Sequence, residues 1–477
     1  MHIKRLLQEI HNLKITGISD DTRYLQAGDL FVVRKGSKDS GSAYLEEAIR
    51  LGAKTILSEK EHDLSIPVII SKDIEKIFPE LLFRFYDYPH YELCIIGVTG
   101  TDGKTTTASI IEHLLTQKYN SCYIGTNGIR HLGYFEKTKY TTLPLCLLVR
   151  TLRFLADKNI RHLVMEVSSQ GLVNKRLEGI GFEVAVFTNL GHEHLDTHGT
   201  IENYLKAKQM LFSKLEKKGL GITNIDSPYG KHFKAKNLLT YGLNENSDYQ
   251  AYNIRERKKY TVFDLKTPEE TWKDLRINLF GIYNVYNVVA AIITALHYKI
   301  PKTTIYKALE TIPKIEGRLE ELSTTEEFKV YVDFAHTPNA LEAVLNLLKK
   351  RHSRLLLVLG SAGGKDKSKR PLLGKIATTL ADYVFFTSED PRFEKPENII
   401  FDLIKDLKND NYQIIIDRKE AIKTAILSAK KGDGVLIAGK GNDDYFEING
   451  NIYSYSDIEV VEEILSELKE NNPVKEI

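Results

Sequence analysis

Cysteine is scarce in this 477-residue chain: there are three, Cys94, Cys122 and Cys146, odd in number and far apart. Their spacing excludes a disulfide framework or a clustered-thiol metal site, and reads as reduced, buried thiols of a cytosolic protein. Long apolar runs are missing as well. None approaches the ~20 residues of a membrane span, and the N-terminus, MHIKRLLQEIHNLKI, carries charges throughout an amphipathic helical pattern and does not read as a signal peptide. Nor is there an excess of one charge: Lys plus Arg number 66 against 64 for Asp plus Glu, which argues against a dedicated nucleic-acid binder. These absences point to a cytoplasmic enzyme without membrane insertion. Its length suits about three domains of ~150 residues each.

Short apolar runs alternate with longer helical patterns through nearly the whole chain, as in α/β layers built on largely parallel sheets. Residues 1–88 hold DLFVV and YLEEAIRLGAKTILSE, then the helix-like IFPELLFRFYDYPH, with Pro89 marking a boundary. Residues 89–315 hold the apolar strands HLVMEV and VAVFTNL, each delivering polar residues at its C-terminal end, where open α/β sheets bind ligands. Residues 316–477 hold VYVDFAH, RLLLVLG, YVFFTSE and GVLIAGKG, separated by helical stretches, and predict a second sheet with helices on both faces.

The strongest signal is GVTGTDGKTTT at 97–107, directly after an apolar strand pattern. It misses the common P-loop spacing, because Val98 stands where the first glycine belongs. It still sets Gly100, Thr101, Gly103, Lys104, Thr105 and Thr106 at the start of a helix. Backbone amides there can cradle phosphate oxygens, Lys104 can neutralise them, and Thr105 can offer a hydroxyl to magnesium. Further on, Glu166 ends one strand, and His192, His194 and His198 follow the next. A zinc site is conceivable, but the spacing lacks a helical HExxH, and magnesium fits better beside a triphosphate. For His192 and His198 an ordinary hydrogen-bonding role is expected. The lysines of YLKAKQMLF read, on pattern alone, as the solvated face of an amphipathic helix. GSAGGKDKSKRP is a second glycine-rich basic loop suited to an anion, and TSEDPRFEKP sets Arg392 where its planar fork can hold a carboxylate.

The ordered set DDTRYLQAGDLFV, GVTGTDGKTTT, MEVSSQGL, TNLGHEHLDTHG, YLKAK, GIYNVYN, GRLE, VDFAHTPNALE, GKDKSKRP, DPR and AGKGNDDY resembles the Mur ligases, ATP-dependent amide-forming enzymes of peptidoglycan precursor synthesis. It covers essentially the whole chain. Within that family it is most similar to the MurE-type branch, which joins the third peptide residue to UDP-N-acetylmuramoyl-L-alanyl-D-glutamate. The resemblance implies three α/β domains: a UDP-muramoyl-binding domain (1–88), a central P-loop-like ATPase domain (89–315) and a C-terminal Rossmann-like domain (316–477). It further implies a monomer that takes the UDP-linked dipeptide, ATP and a free amino acid. Lys104 and Thr105 would hold phosphates and one Mg2+, Glu166 would lie between two such ions, and His194 would bind the second. Lys208 matches a lysine carbamylated by CO2, whereas Lys206 stays solvated. Asn287, Arg318 and Asp333 would meet the adenine, phosphates and ribose region of ATP. Thr141, Thr142, Ser168 and Arg176 match contacts to the muramoyl-peptide, and Thr22 a position near the uracil, although GSKDSGSAY lacks the usual histidine. Arg370, Asp390, Arg392, Gly439 and Asp443 match the stretches that receive the amino acid.

Two points stay open in the sequence. Enzymes adding meso-diaminopimelate usually carry DNPR and GHE; here the matching stretches are Glu389-Asp390-Pro391-Arg392 and Gly441-Asn442-Asp443. Arg392 favours a second carboxylate on the incoming amino acid, whereas Asp390 and Asp443 would also suit a lysine-like ammonium. The other is Asp102, where the family commonly has asparagine. A related ligase of folylpolyglutamate or cyanophycin synthesis would share the ATPase signals but lack the pattern GISDDTRYLQAGDLFV. A non-catalytic nucleotide-binding module would have lost Lys104, Glu166, His194 or Lys208.

Overall fold

The computed structural model describes residues 3–34, 41–244, 246–257, 259–322 and 327–471. The expectation about a missing histidine in GSKDSGSAY falls largely outside them. Three sheets follow one another along the chain. The first is four-stranded and parallel: Ile18–Ser19, Leu30–Val32, Thr55–Ser58 and Val68–Ile70. It packs beneath the helices Ile3–Asn12 and Ile74–Phe85.

The second sheet has eleven strands, with Cys94–Thr99 between Phe182–Phe187 and His162–Glu166, all parallel. Leu215–Asn224, Asn237–Gly242 and Tyr249–Glu256 extend it in parallel on one side, and Ser121–Gly125 on the other. Antiparallel strands finish both edges: Thr261–Lys266 with Thr271–Ile277, and Gly128–His131 with Tyr134–Glu136. Helices Lys104–Leu115 and Ile282–His297 bury one face through Ile110, Ile111, Val288 and Ile292. On the other face the core runs without a break into the first unit, joining Leu148, Leu163 and Phe182 to Leu6, Phe78 and Leu82.

The third sheet runs Glu320–Glu321, Lys329–Asp333, Gly434–Ala438, Leu355–Leu359, Tyr383–Phe386 and Tyr412–Ile414, antiparallel only at its first pair. A separate hairpin, Tyr445–Ile448 with Asn451–Ser454, stands beside it. The cores on its two faces are its own. Its junction with the central sheet includes several polar contacts: Lys369 with Glu193 at 3.0 Å, Lys137 with Asp444 at 2.6 Å, and Asn442 to Asn127 at 3.2 Å. Polar junctions of this kind leave a unit free to move as a body.

Among the described residues no helix is long and apolar enough to cross a membrane. The three cysteines are unpaired, with Cys122 and Cys146 buried.

Candidate active site

The parallel strands Cys94–Thr99, His162–Glu166 and Phe182–Phe187 of the central sheet, and Lys329–Asp333, Leu355–Leu359 and Gly434–Ala438 of the third, end at one cavity of about 1300 Å³. The phosphate loop enters at its floor. Gly97 proves to be part of the strand, where it is a packing glycine: a Cβ would come within 2.8 Å of Leu211 and Phe182. The loop proper is Gly100 to Gly103. Gly103 has φ +82°, and a Cβ there would stand 2.7 Å from Asn287 Oδ1. The helix Lys104–Leu115 starts at this point, so its free amides face the cavity. Lys104 Nζ donates to the carbonyls of Gly100 (3.1 Å) and Thr101 (2.8 Å). Burial lowers its pKa, while Glu166 and Asp102 pull in the opposite direction.

Glu166 is wholly buried and gathers donors. Thr105 Oγ1 donates to its Oε2 at 3.1 Å, and Arg318 Nη2 donates to that same threonine oxygen at 3.0 Å. Thr105 and Glu166 are hard oxygen donors side by side. Such a pair suits a magnesium ion that takes its remaining ligands from phosphates and water. Among the described residues no group of three or more His, Cys, Asp or Glu side chains is placed to hold a metal ion.

Lys208 lies on the helix Ile201–Ser213 and is 1% exposed. Its Nζ donates to Gly100 O at 2.6 Å and sits 4.3 Å above the Tyr204 ring. Burial and the Lys104 charge push its pKa well below the usual lysine value. Lys206, two residues away, is exposed. His194 stands edge-to-face with Tyr204, with ring centroids 5.8 Å apart. Burial and Lys208 hold its pKa down at about 2, so the imidazole is neutral. His192 contacts Ser368 at 2.8 Å and His198 contacts Ser169 at 2.9 Å, the hydrogen-bonding roles expected for them.

The remaining expected residues divide. Thr141, Thr142, Ser168 and Arg176 line the cavity together: the Thr142 hydroxyl lies 3.1 Å from Ser168 Oγ, and Arg176 donates to Thr142 O at 2.7 Å. Asp333 is held by Leu319 N (2.5 Å) and Ala335 N (2.7 Å) on the cavity wall. Asn287 lines the cavity with its amide engaged at both ends, accepting from Thr107 (3.0 Å) and donating to Asn284 (3.1 Å). Thr22 stands apart from this cavity. It donates to Glu47 at 3.0 Å, next to a smaller cavity of about 110 Å³ lined by Ser19, Asp20, Tyr24 and Arg150.

At the amino-acid end the expected residues have very different surroundings. Arg370 is fully buried and does not line the cavity; its guanidinium is taken by Glu394 (2.9 Å) and Asp402 (3.0 Å). Lys365, five residues earlier in the same loop, faces the cavity instead, with no carboxylate within ion-pair distance among the described residues. Asp390 is neutralised by Lys440, which donates to both carboxylate oxygens at 2.9 and 3.0 Å. Arg392 gives its Nε to Glu447 at 3.0 Å, leaving its two Nη groups for another partner. Gly439 and Asp443 complete the wall, and burial raises the Asp443 carboxyl to about 6.

A glycine-rich loop at a helix start, beside buried oxygen donors and facing a third α/β unit, could hold a nucleotide phosphate together with a cation. Segments of the chain match three families: the Mur ligase family catalytic domain over 14–83, the Mur ligase middle domain over 98–295, and the Mur ligase glutamate ligase domain over 317–441. The chain belongs to the Mur ligase family, the ATP-dependent amide ligases of peptidoglycan synthesis. It is 39% identical over 467 residues to the UDP-N-acetylmuramoyl-L-alanyl-D-glutamate–2,6-diaminopimelate ligase of Bacillus licheniformis, covering 95% of each chain. It is also 38% identical to UDP-N-acetylmuramyl-tripeptide synthetase 2 of Oceanobacillus iheyensis, covering 99% of this chain and 98% of the other. A solved structure of a UDP-N-acetylmuramoyl-L-alanyl-D-glutamate–2,6-diaminopimelate ligase superposes with a TM-score of 0.62 at 30% identity, covering 97% of this chain and 98% of that one.

Proposed function

We propose that this ligase joins meso-diaminopimelate to UDP-N-acetylmuramoyl-L-alanyl-D-glutamate with hydrolysis of ATP. The observation that carries the choice of amino acid is the charge pattern at the cavity end. With Asp390 paired to Lys440 and Arg392 giving only its Nε to Glu447, the cavity end offers Lys365 and the Arg392 Nη groups as cationic donors beside the Asp443 carboxyl. A distal ammonium-carboxylate pair complements donors and acceptor alike, whereas the ammonium of lysine would leave the Lys365 and Arg392 donors without a carboxylate.

In the proposed reaction the glutamyl carboxylate attacks the terminal phosphate of ATP. A new O–P bond forms as the bond to ADP breaks; the amine then attacks the acyl carbon, forming the C–N bond, expelling phosphate and losing a proton. Lys104 and Arg318 compensate the crowded negative charge, a contribution of electrostatic preorganisation more than of acid-base chemistry. Bound magnesium, held at Thr105 and Glu166 and at a second place near His194 and Lys208, would supply further neutralisation. Lys208 would act there as a carbamate: its neutral amine adds to CO2, forms an N–C bond and releases a proton. The low Lys208 pKa and its lack of an ion pair among the described residues support this reading. Thr141, Thr142, Ser168 and Arg176 would hold the muramoyl-peptide, Asn287 and Asp333 would shape the nucleotide site, and Gly439 would leave room for the amino acid. Thr22 would support the uridine end.

The same reading divides the chain at 1–88, 89–315 and 316–477, with the third domain closing over the acyl phosphate to exclude water. It makes the protein a cytoplasmic monomer, in keeping with its nucleotide-linked substrates. The test is phosphate release by the purified protein with the UDP-linked dipeptide, ATP and a panel of amino acids. Diaminopimelate is expected to give the highest kcat/KM; a preference for lysine would overturn the choice of amino acid, and silence with every amino acid would overturn the ligase reaction itself.

A further inference from the structure

Glu166 does not present its two oxygens equally. Oε1 receives a short hydrogen bond from the Tyr123 hydroxyl and a second bond from Thr126 N at 3.0 Å. Oε2 is met only by rotatable hydroxyls, Thr105 at 3.1 Å and Thr126 at 3.4 Å. Tyr123 itself has little freedom. It lies in the strand Ser121–Gly125, parallel and adjacent to the strand that Glu166 ends, and is fully buried. The Arg130 guanidinium covers its ring at 5.0 Å, held there by Glu112 at 3.2 Å, and its phenolic oxygen accepts from Asn127 N at 3.3 Å. Gly125 leaves the space for this contact, since a Cβ there would collide with both Glu166 Oε1 and the Tyr123 hydroxyl.

We propose that Tyr123 is a positioning residue that commits Glu166 to offer a single oxygen, Oε2, to the divalent cation. The inference rests on the reading of Glu166 as a cation ligand. An oxygen already accepting a phenol and a backbone amide is a poor further donor, and magnesium favours single-oxygen coordination in a near-octahedral shell. Groups that orient metal-binding carboxylates typically govern affinity by about 10- to 100-fold.

The test uses full-length enzyme with ADP and Mn2+, with free Mn2+ followed by electron paramagnetic resonance. Tyr123→Phe keeps the ring and removes the hydroxyl; it is expected to weaken Mn2+ at least about tenfold, with ADP affinity in the absence of metal unchanged. An unchanged Mn2+ affinity overturns the proposal. Glu166→Gln separates the two layers: if it leaves Mn2+ binding intact, the cation-ligand reading of Glu166 fails first. Replacing Tyr123 with 3-fluorotyrosine guards against a misfolded variant. Its 19F resonance is expected to shift on adding Mg2+ to the ADP complex and to lose that shift in Glu166→Gln; a resonance indifferent to Mg2+ overturns the proposal independently.

Discussion

The Thr337 hydroxyl donates to the Asp102 carboxylate at 3.1 Å, while its oxygen caps the helix Pro338–Lys349 by accepting from Ala340 N at 3.1 Å. The phosphate loop is therefore tied to the first turn of a helix in the third unit. Among the described residues the carboxylate at 102 forms no ion pair; both its oxygens lie within reach of the Thr337 hydroxyl. Burial raises its pKa, with Lys104 and the Thr337 hydroxyl opposing.

Thr337→Val removes the cap and the tie together. It is expected to lower stability by about 1 kcal/mol, the usual worth of an N-cap, and to raise KM for ATP. Asp102→Asn keeps an acceptor oxygen and is expected to stay close to the parent in both. Urea unfolding and initial rates against ATP concentration measure the pair.

Lys208→Ala is expected to reduce kcat by at least about 100-fold, the scale of losing one preorganised electrostatic partner, with partial recovery on adding formate or acetate. Those anions can occupy the space of the carbamate. Rate measurements with and without 100-mM-scale carboxylate, on the order of what a weak surrogate ligand needs, decide the matter; absence of rescue weakens the carbamate.

Lys365→Met is expected to raise KM for diaminopimelate by about tenfold, the worth of one charge-assisted hydrogen bond, without changing KM for ATP. Arg370→Met should behave differently. It leaves Glu394 and Asp402 without their shared partner, so its loss should register in unfolding experiments before it registers in substrate affinity.

Glu389 carries a pH signature. It is buried, and desolvation raises its carboxyl to about 7 against an ordinary 4.5, with Arg418 and Lys440 opposing. The folded state therefore holds its proton more tightly than the unfolded one, and stability falls as pH rises from about 4.5 to about 7. Glu389→Gln removes that loss. Its melting temperature relative to the parent is expected to be more favourable at pH 8 than at pH 5; equal shifts at both values would refute the assignment.

Local pattern carried the strands far. HLVMEV, RLLLVLG and GVLIAGKG became His162–Glu166, Leu355–Leu359 and Gly434–Ala438, because apolar runs buried on both faces leave little alternative. The helix in IFPELLFRFYDYPH formed with Pro79 inside its first half. The antiparallel strands at 261–277 were not anticipated: Asp264 interrupts the apolar residues of Thr261–Lys266, and the edge strand Thr271–Ile277 mixes buried with exposed positions. The N-terminal segment was bounded at Pro89, yet its core continues into the central sheet, a property of packing that no local composition displays.

The amino-acid sequence by itself determined where the chemistry is proposed to lie: Gly103, Lys104 and Thr105 stand at a helix start suited to phosphate, and Glu166 ends a neighbouring strand. Only the tertiary structure decided which charges remain available. Arg370 and Lys365 share one basic loop, but the first sits inside the helix Arg370–Leu380 against Glu394 and Asp402, and the second faces the cavity. Asp390 reads as a new negative charge until Lys440, fifty residues on, neutralises it. The physical reason is that a charge acts through its partners and its exposure, and both depend on residues that meet only after the sheets assemble.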